Sequence, residues 1–347
     1  MSLNSKSSVG VESPVREPEP DESQRVERAG PRRHTFQRYA LVMVLVLMII
    51  TFAVLPESGS AFRSPENVRA MLANQAVGLT VAIALLFPMA AGYFDFSVGA
   101  VTATCSVVAA ALLSQAGLPL PLAVLVAIIV GATAGLILGV LIAVLDMNAF
   151  IATLGTATLL GGLIFAYTGG LQITSGIPSS LTDLGSLSVL GVPRIAVLAA
   201  LIAAASWFVM GHTPFGRQLF AIGSNARAAA LVGVRVTRVR LLSFVVSGTV
   251  AGIAGVLLLA RQGAATSDNG MTMLFPALTA VLLSTITLEL GRPSVAGTVV
   301  AIFLVAVSVS GLTLLGAPAW VGPVFDGAAL LVAVAFTRLA AGRSNRS

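Results

Sequence analysis

PLAVLVAIIVGATAGLILGVLIAVL, residues Pro121 to Leu145, runs for 25 residues without a charge, and Thr133 is its only polar side chain. As a helix rising roughly 1.5 Å per residue it would be about 38 Å long, against a hydrocarbon core ~30 Å thick. The stretch is built to cross a bilayer. Gly131, Gly135 and Gly139 recur within it every four residues, and Gly248 and Gly252 repeat that spacing further on. Glycines so placed let two backbones approach closely. They read as packing surfaces inside a helix bundle, with a substrate path as the alternative.

Nine more apolar stretches surround this one. The set reads 39–55, 69–91, 98–115, 121–145, 149–167, 194–210, 241–260, 274–288, 295–314 and 321–338. The eighth is short and reads either as a crossing or as a half-helix that enters and returns. The second form is tolerated only where protein or water covers the freed backbone groups. Composition agrees: the 347 residues are 56% hydrophobic and 10% charged, and 13 of the 34 charged residues fall within residues 1–38. A soluble domain carries about 25% charged residues, so the rest of this chain could not cover a water-facing surface. The expected fold class is all-α, a polytopic membrane protein of about ten helices.

Ten crossings leave both termini on one side. If that side is the cytoplasm, the inner segments hold 16 basic residues, and the outer ones hold only Arg63, Arg69, Arg194 and Arg261. That is the asymmetry produced when cytoplasmic loops keep their Lys and Arg. The domains then read as a disordered cytoplasmic tail at 1–38, a membrane domain at 39–338 interrupted by a cytoplasmic loop at 211–240, and a cytoplasmic C-terminal tail at 339–347. The tail is rich in Ser, Pro, Glu and Arg and has too little apolar surface to offset the entropy of ordering. The first apolar stretch reads as a retained helix rather than a cleaved signal. Cys105, the single cysteine, excludes an intrachain disulfide and a Cys-rich metal site. His34 and His212 lie in the tail and at a boundary, and neither reads as a ligand. The formal charge of +6 reads as the inside-positive bias and attraction to anionic lipid, not as a nucleic-acid surface.

An ionisable group near lipid is costly and faces a cavity or a partner. Asp95 is the sharpest such position, in Gly92-Tyr93-Phe94-Asp95-Phe96-Ser97-Val98-Gly99, where two glycines bracket a break between stretches. An Asp just before an apolar run reads as a helix cap that accepts backbone N–H groups at the positive end of the dipole. Direct contact with substrate is the alternative, and Phe96, Ser97 and Thr153 join Asp95 as residues of the pathway or of a structural break. Asp146 and Asp326 read as interface residues, and Glu289 as a partner of Arg292 or of water.

The longest polar stretch between spans, Gly211 to Arg240, includes HTPFGRQLFAIGSNARAAALVGV, residues His212 to Val234. Pro214 and Gly216 predict a turn. Ser224 or Asn225 can cap a short helix at Ala228–Leu231 that ends at Gly233. Such a helix reads as a docking element or as a plain connection. The segment resembles the cytoplasmic loop of the ribose-type sugar permeases, the membrane subunits of ATP-binding cassette importers. That family carries T-x-F-G-R and then A-I-G-x-N-x-x-A-A-x-x-x-G-I/V there. Thr213, Phe215, Gly216, Arg217, Ala221, Ile222, Gly223, Asn225, Ala228, Ala229, Gly233 and Val234 stand at the matching positions. Phe94 to Gly99 is similar to the family's I-D-L-S-V-G, Phe150 to Gly155 to its F-I-x-T-L-G/A, and Leu242 to Arg261 to its next span. The likeness covers residues 69–338. It departs at Arg227, where the family usually has an acidic residue, and at Leu282 to Gly291, where it often has a Gly-Gly-rich run.

The resemblance implies the importer permease fold in a bacterial inner membrane. It implies a partner ATPase gripping Phe215, Gly216, Arg217, Gly223, Asn225, Arg227, Ala228, Ala229 and Gly233, a second permease subunit that is a copy or a paralogue, and an external sugar-binding protein. The chain has no G-x-x-x-x-G-K-[ST]. No cofactor is therefore expected on this chain itself, and ATP and Mg would act through the partner. On the outer side, Thr168 to Pro193 suits a binding-protein contact or a plain linker. Tyr93, Phe96, Phe165, Tyr167, Gln172 and Thr174 offer groups that could meet a sugar, or belong to interfacial belts. Import of a monosaccharide or related polyol is the leading reading. A branched-chain amino acid permease and an ion-driven secondary transporter are the alternatives, and an enzyme is not expected.

Overall fold

Each of the ten apolar stretches is helical in the computed structural model, which describes residues 31–267, 269–287 and 291–344. In chain order, α1 (Pro31–Val54) leads through the one-turn α2 (Gly59–Phe62) to α3 (Pro65–Ala90), α4 (Val98–Ser114), α5 (Leu120–Ala143) and α6 (Ala149–Thr168). A surface segment follows: α7 (Ser179–Ser186), then a two-stranded antiparallel hairpin of β1 (Ser188–Val189) and β2 (Val192–Pro193). The remaining helices are α8 (Arg194–His212), α9 (Pro214–Leu231), α10 (Val236–Gln262), α11 (Asn269–Ser284), α12 (Val295–Leu314) and α13 (Val321–Ser344). Six of these helices are long and apolar enough to cross a membrane whole, and four shorter apolar helices bring the apolar set among the described residues to ten. The all-α polytopic class expected from the sequence is the one observed.

Local chemistry fixes the helix ends. Ser64 accepts a hydrogen bond from the Asn67 N–H at 3.2 Å with Pro65 opening α3, and Asn148 accepts from the Phe150 N–H at 2.9 Å to start α6. Gly169 and Gly263 end α6 and α10 in left-handed geometry. Within the helices, Thr80, Thr102, Thr153, Thr298 and Ser308 are buried and donate to the carbonyl four residues back at 2.8–2.9 Å. Each hydroxyl is thereby satisfied without water, as an apolar surrounding demands.

The core sits where α3, α4, α5 and α10 meet. The broadest helix contact is that of α5 with α10, and glycines make it. A Cβ placed on Gly131 would lie 2.9 Å from the Gly252 Cα, and one on Gly248 would lie 2.9 Å from the Gly135 Cα. The packing role of this glycine spacing is what the structure displays.

The helix ends divide between two faces. On one, the Arg69 Nε donates to the Gly191 carbonyl at 3.2 Å, the Arg261 Nε and Nη2 donate to the Asn74 Oδ1 at 3.0 and 2.8 Å, and Ile173 pairs with Ala265. On the other lie α9 and the links joining α3 to α4 and α5 to α6. The eighth stretch resolves here. Helix α11 starts on the Arg261 face, and beyond its end the Arg292 guanidinium covers the Phe220 ring of α9 at 5.9 Å. The segment crosses; it does not return. Its sixteen helical residues span only about 24 Å, and a turn at 285–287 follows them. Several boundaries move: α1 begins at Pro31 rather than Tyr39, α3 at Pro65 rather than 69, α10 at Val236 rather than 241 and α11 at Asn269 rather than 274, while α11 ends at Ser284 rather than 288 and α13 runs to Ser344, into the expected C-terminal tail. Residues 1–30 and 345–347 of the expected tails, and Glu289 of the expected pair, lie outside the described residues.

Candidate functional site

Helix α9 is built from two pieces. Thr213 is extended at φ −99°, its Oγ1 accepts from the Gly216 N–H at 3.3 Å, and Pro214 occupies the first helical position. Pro214 and Gly216 therefore open a helix, where a turn was expected. Proline tolerates that position because the N–H it lacks would be unpaired there anyway. Gly216 is needed for contact instead, since a Cβ would run into the Met210 carbonyl of α8. Leu219 and Ile222 are buried beneath this first piece.

The break falls at Asn225, whose backbone leaves helical geometry at φ −155°, ψ 101°. Its Oδ1 accepts from the Ala228 N–H at 3.0 Å, so Asn225, not Ser224, caps the second piece. Gly233 at φ +88° ends it, with the Val234 N–H donating to the Ala229 carbonyl at 3.1 Å. Ala229 is buried, whereas Arg227, Ala228, Leu231 and Val232 are exposed, the last two at 89% and 81%. Two fully presented aliphatic side chains at the tip of a basic loop form a contact surface without a partner among the described residues.

Under α9 lies the break between α3 and α4. Gly223 meets it backbone to backbone: a Cβ there would collide with the Ala90 carbonyl, and the Gly92 N would be 3.4 Å away. Arg240 of α10 lies over the Tyr93 ring at 5.2 Å, and Tyr93 meets Phe244 at 6.1 Å. Asp95, 4% exposed, then ties the break to the core. Its Oδ1 accepts from the Ser97 N–H at 3.0 Å and the Ser97 hydroxyl at 2.5 Å, and its Oδ2 accepts from the Ser247 hydroxyl of α10 at 3.2 Å. Asp95 stands too early to cap the first turn of α4, whose cap position is Ser97. It is a cross-bundle anchor instead. Helix α9 thus touches the α3–α4 break through Gly223, and Asp95 in the same break bonds to Ser247 of α10.

Residues 68–334 match the family described as the branched-chain amino acid transport system / permease component. The chain belongs to this family. It is similar to the ribose import permease protein RbsC of Haemophilus influenzae, 29% identical over 87% of this chain and 93% of the relative. The autoinducer 2 import system permease protein LsrD is similar too. It is 31% identical in Salmonella paratyphi A over 87% of this chain and 91% of the relative, and 34% identical in Salmonella typhimurium over 73% and 78%. No solved structure matches the chain significantly. The protein is a multi-pass transport component and not an enzyme.

The permease separates several residues grouped by sequence. Tyr93 and Phe96 lie on the α9 face, where the Phe96 ring meets the Phe150 ring edge-on at 5.4 Å. Phe165, Tyr167, Gln172 and Thr174 lie at the opposite face, with the Tyr167 hydroxyl donating to the Gln115 Oε1 at 2.7 Å. The six cannot form one sugar site within a subunit. Thr153 is buried and bonds only within α6, to the Ala149 and Phe150 carbonyls. Among the described residues no hydrogen bond joins it to Asp95. Two features went unseen in the sequence. One is a shallow apolar groove along α6, lined by Phe150, Leu154, Gly155, Thr158, Leu159 and Gly162; the small residues at 155, 158 and 162 were its signal. The other is the surroundings of Asp326, assigned above to an interface: its Oδ1 is shielded from solvent and has no hydrogen-bond partner among the described residues.

Proposed function

We propose that this permease is the membrane-spanning subunit of an ATP-binding cassette importer, carrying a monosaccharide or related polyol inward. The observation that carries the reading is α9, a capped, kinked helix with an exposed aliphatic tip and a backbone contact to the α3–α4 break. The face bearing α9 also carries Arg217, Arg227, Arg235, Arg238, Arg240 and Arg292, which supports reading it as the cytoplasmic one, with both termini on that side. A separate ATPase docks on the tip. When its two copies close on ATP, α9 is pushed as a lever, and the movement passes through Gly223 to the break anchored by Asp95.

The sugar reading is supported by the ribose import permease among the relatives. The family description names branched-chain amino acids, and that cargo is the competing reading. A second permease subunit, copy or paralogue, would meet the groove of α6, where Gly155, Gly161 and Gly162 have open space beside them. A binding protein would dock on the opposite face, on α7 and the β1–β2 hairpin, where Leu190 is fully exposed. Reconstitution tests the reading. Liposomes holding the permease with its ATPase, a binding protein and internal ATP should accumulate labelled ribose or a related polyol. Accumulation of leucine alone would favour the amino acid reading.

A further inference from the structure

A cavity of about 490 Å³ opens between α3, α11, α12 and α13 on the face that carries Arg261. Its size lies in the range of about 300–1,000 Å³ usual for small-molecule sites. It is a half-open cavity lined by a single subunit, apart from the α6 groove and from α9. Aliphatic side chains, Ile302 and Val305 among them, wall it, and polar groups from all four helices enter it: Asn74 and Gln75 from α3, Thr272 from α11, Ser310 from α12 and Asp326 from α13.

The polar groups are of mixed sense. Asn74 spends its oxygen on Arg261, at 2.8 and 3.0 Å, and so has its NH₂ left to donate. The Ser310 hydroxyl donates to the Asn67 Oδ1 at 3.1 Å and keeps its oxygen as an acceptor. Among the described residues the Gln75 amide has no hydrogen-bond partner, so it offers both a donor and an acceptor. Among the described residues no donor reaches the Asp326 Oδ1, which is shielded from solvent. An unpaired carboxylate oxygen out of water is expensive, and a ligand hydroxyl is the donor it lacks. A metal cation fits worse, because it requires several converging oxygens and the Asn74 NH₂ would face it. Alternating donors and acceptors over an aliphatic wall match a ring or chain that carries hydroxyls on one side and C–H groups on the other.

We propose that this cavity binds a small neutral polyhydroxyl molecule within one permease subunit, with Asp326, Gln75 and Asn74 as its hydrogen-bonding groups. The choice of probes rests on the import reading above; the site itself does not. The test is titration of the purified full chain in lipid nanodiscs with ribose, ribitol and myo-inositol, alongside leucine and sodium chloride. At least one of the three polyhydroxyl probes should bind saturably. Asp326→Asn and Gln75→Leu, both close in shape to the native side chain, should each weaken that binding about tenfold and leave the unliganded unfolding midpoint unchanged. No saturable binding of the three, binding indifferent to both substitutions, or a response confined to leucine or sodium would overturn the proposal. ATP-driven uptake without such binding would remove this site and leave the import reading intact. Binding without uptake would do the reverse.

Discussion

Gly248→Leu should prevent α5 and α10 from seating and should lower stability by about 3 kcal/mol or more. At this position the neighbour is backbone, which cannot rotate aside. A Cβ would lie 2.9 Å from both the Cα and the N of Gly135, with the Gly131 carbonyl closer still. In lipid, moreover, helices associate through close packing, not through release of water from apolar surface. A seam made by glycines therefore has no reserve when the approach is blocked. Gly211→Leu on α8 is the control, because nothing lies within 4 Å of a Cβ there. Size-exclusion profiles and thermal unfolding in detergent should show the first variant aggregated or strongly destabilised and the second close to the parent. A monodisperse Gly248→Leu protein with an unchanged midpoint would mean that the α5–α10 contact does not hold the bundle together.

Gly223→Val should spare the membrane helices and damage the link between ATP use and transport. Gly223 lies on the first piece of α9 and touches the end of α3 through backbone atoms alone. Added bulk would lift α9 from the break without reaching the α5–α10 seam. With its ATPase supplied, the variant should still hydrolyse ATP, while uptake per ATP falls about tenfold or more, the scale of a typical coupling free energy. Normal uptake per ATP would remove Gly223 from the transmission route. Loss of the folded protein in detergent would show that the contact is structural.

The helices of this permease are legible because lipid leaves few options: a stretch such as Pro121 to Leu145 must be helical to satisfy its backbone. Legibility fails where the decisive partner is distant in the chain. Asp95 stands out as anomalous, but Ser247, 152 residues away, cannot be named from spacing. Asp326 reads as an interface residue because the groups that share its cavity come from three other helices. Pro214 and Gly216 stand out in the sequence and mislead. Both are turn formers in isolation, and only the nearness of the Met210 carbonyl makes Gly216 a contact glycine. Asn225 is one of two candidate caps, and the backbone kink at that residue decides between them. The eighth stretch stays open in sequence because α11 is short, and the position of Arg292 against Phe220 closes the question.

The central claim is that α9 faces the cytoplasm, where a separate motor can reach it. Cys105 has no exposed surface, so a cysteine introduced by Asn225→Cys would be the one accessible thiol among the described residues. Membrane-impermeant maleimide should label that variant in inside-out vesicles and leave it unlabelled in intact cells. Labelling of the Asn225→Cys variant from the outside of intact cells, with none in inverted vesicles, would contradict the account.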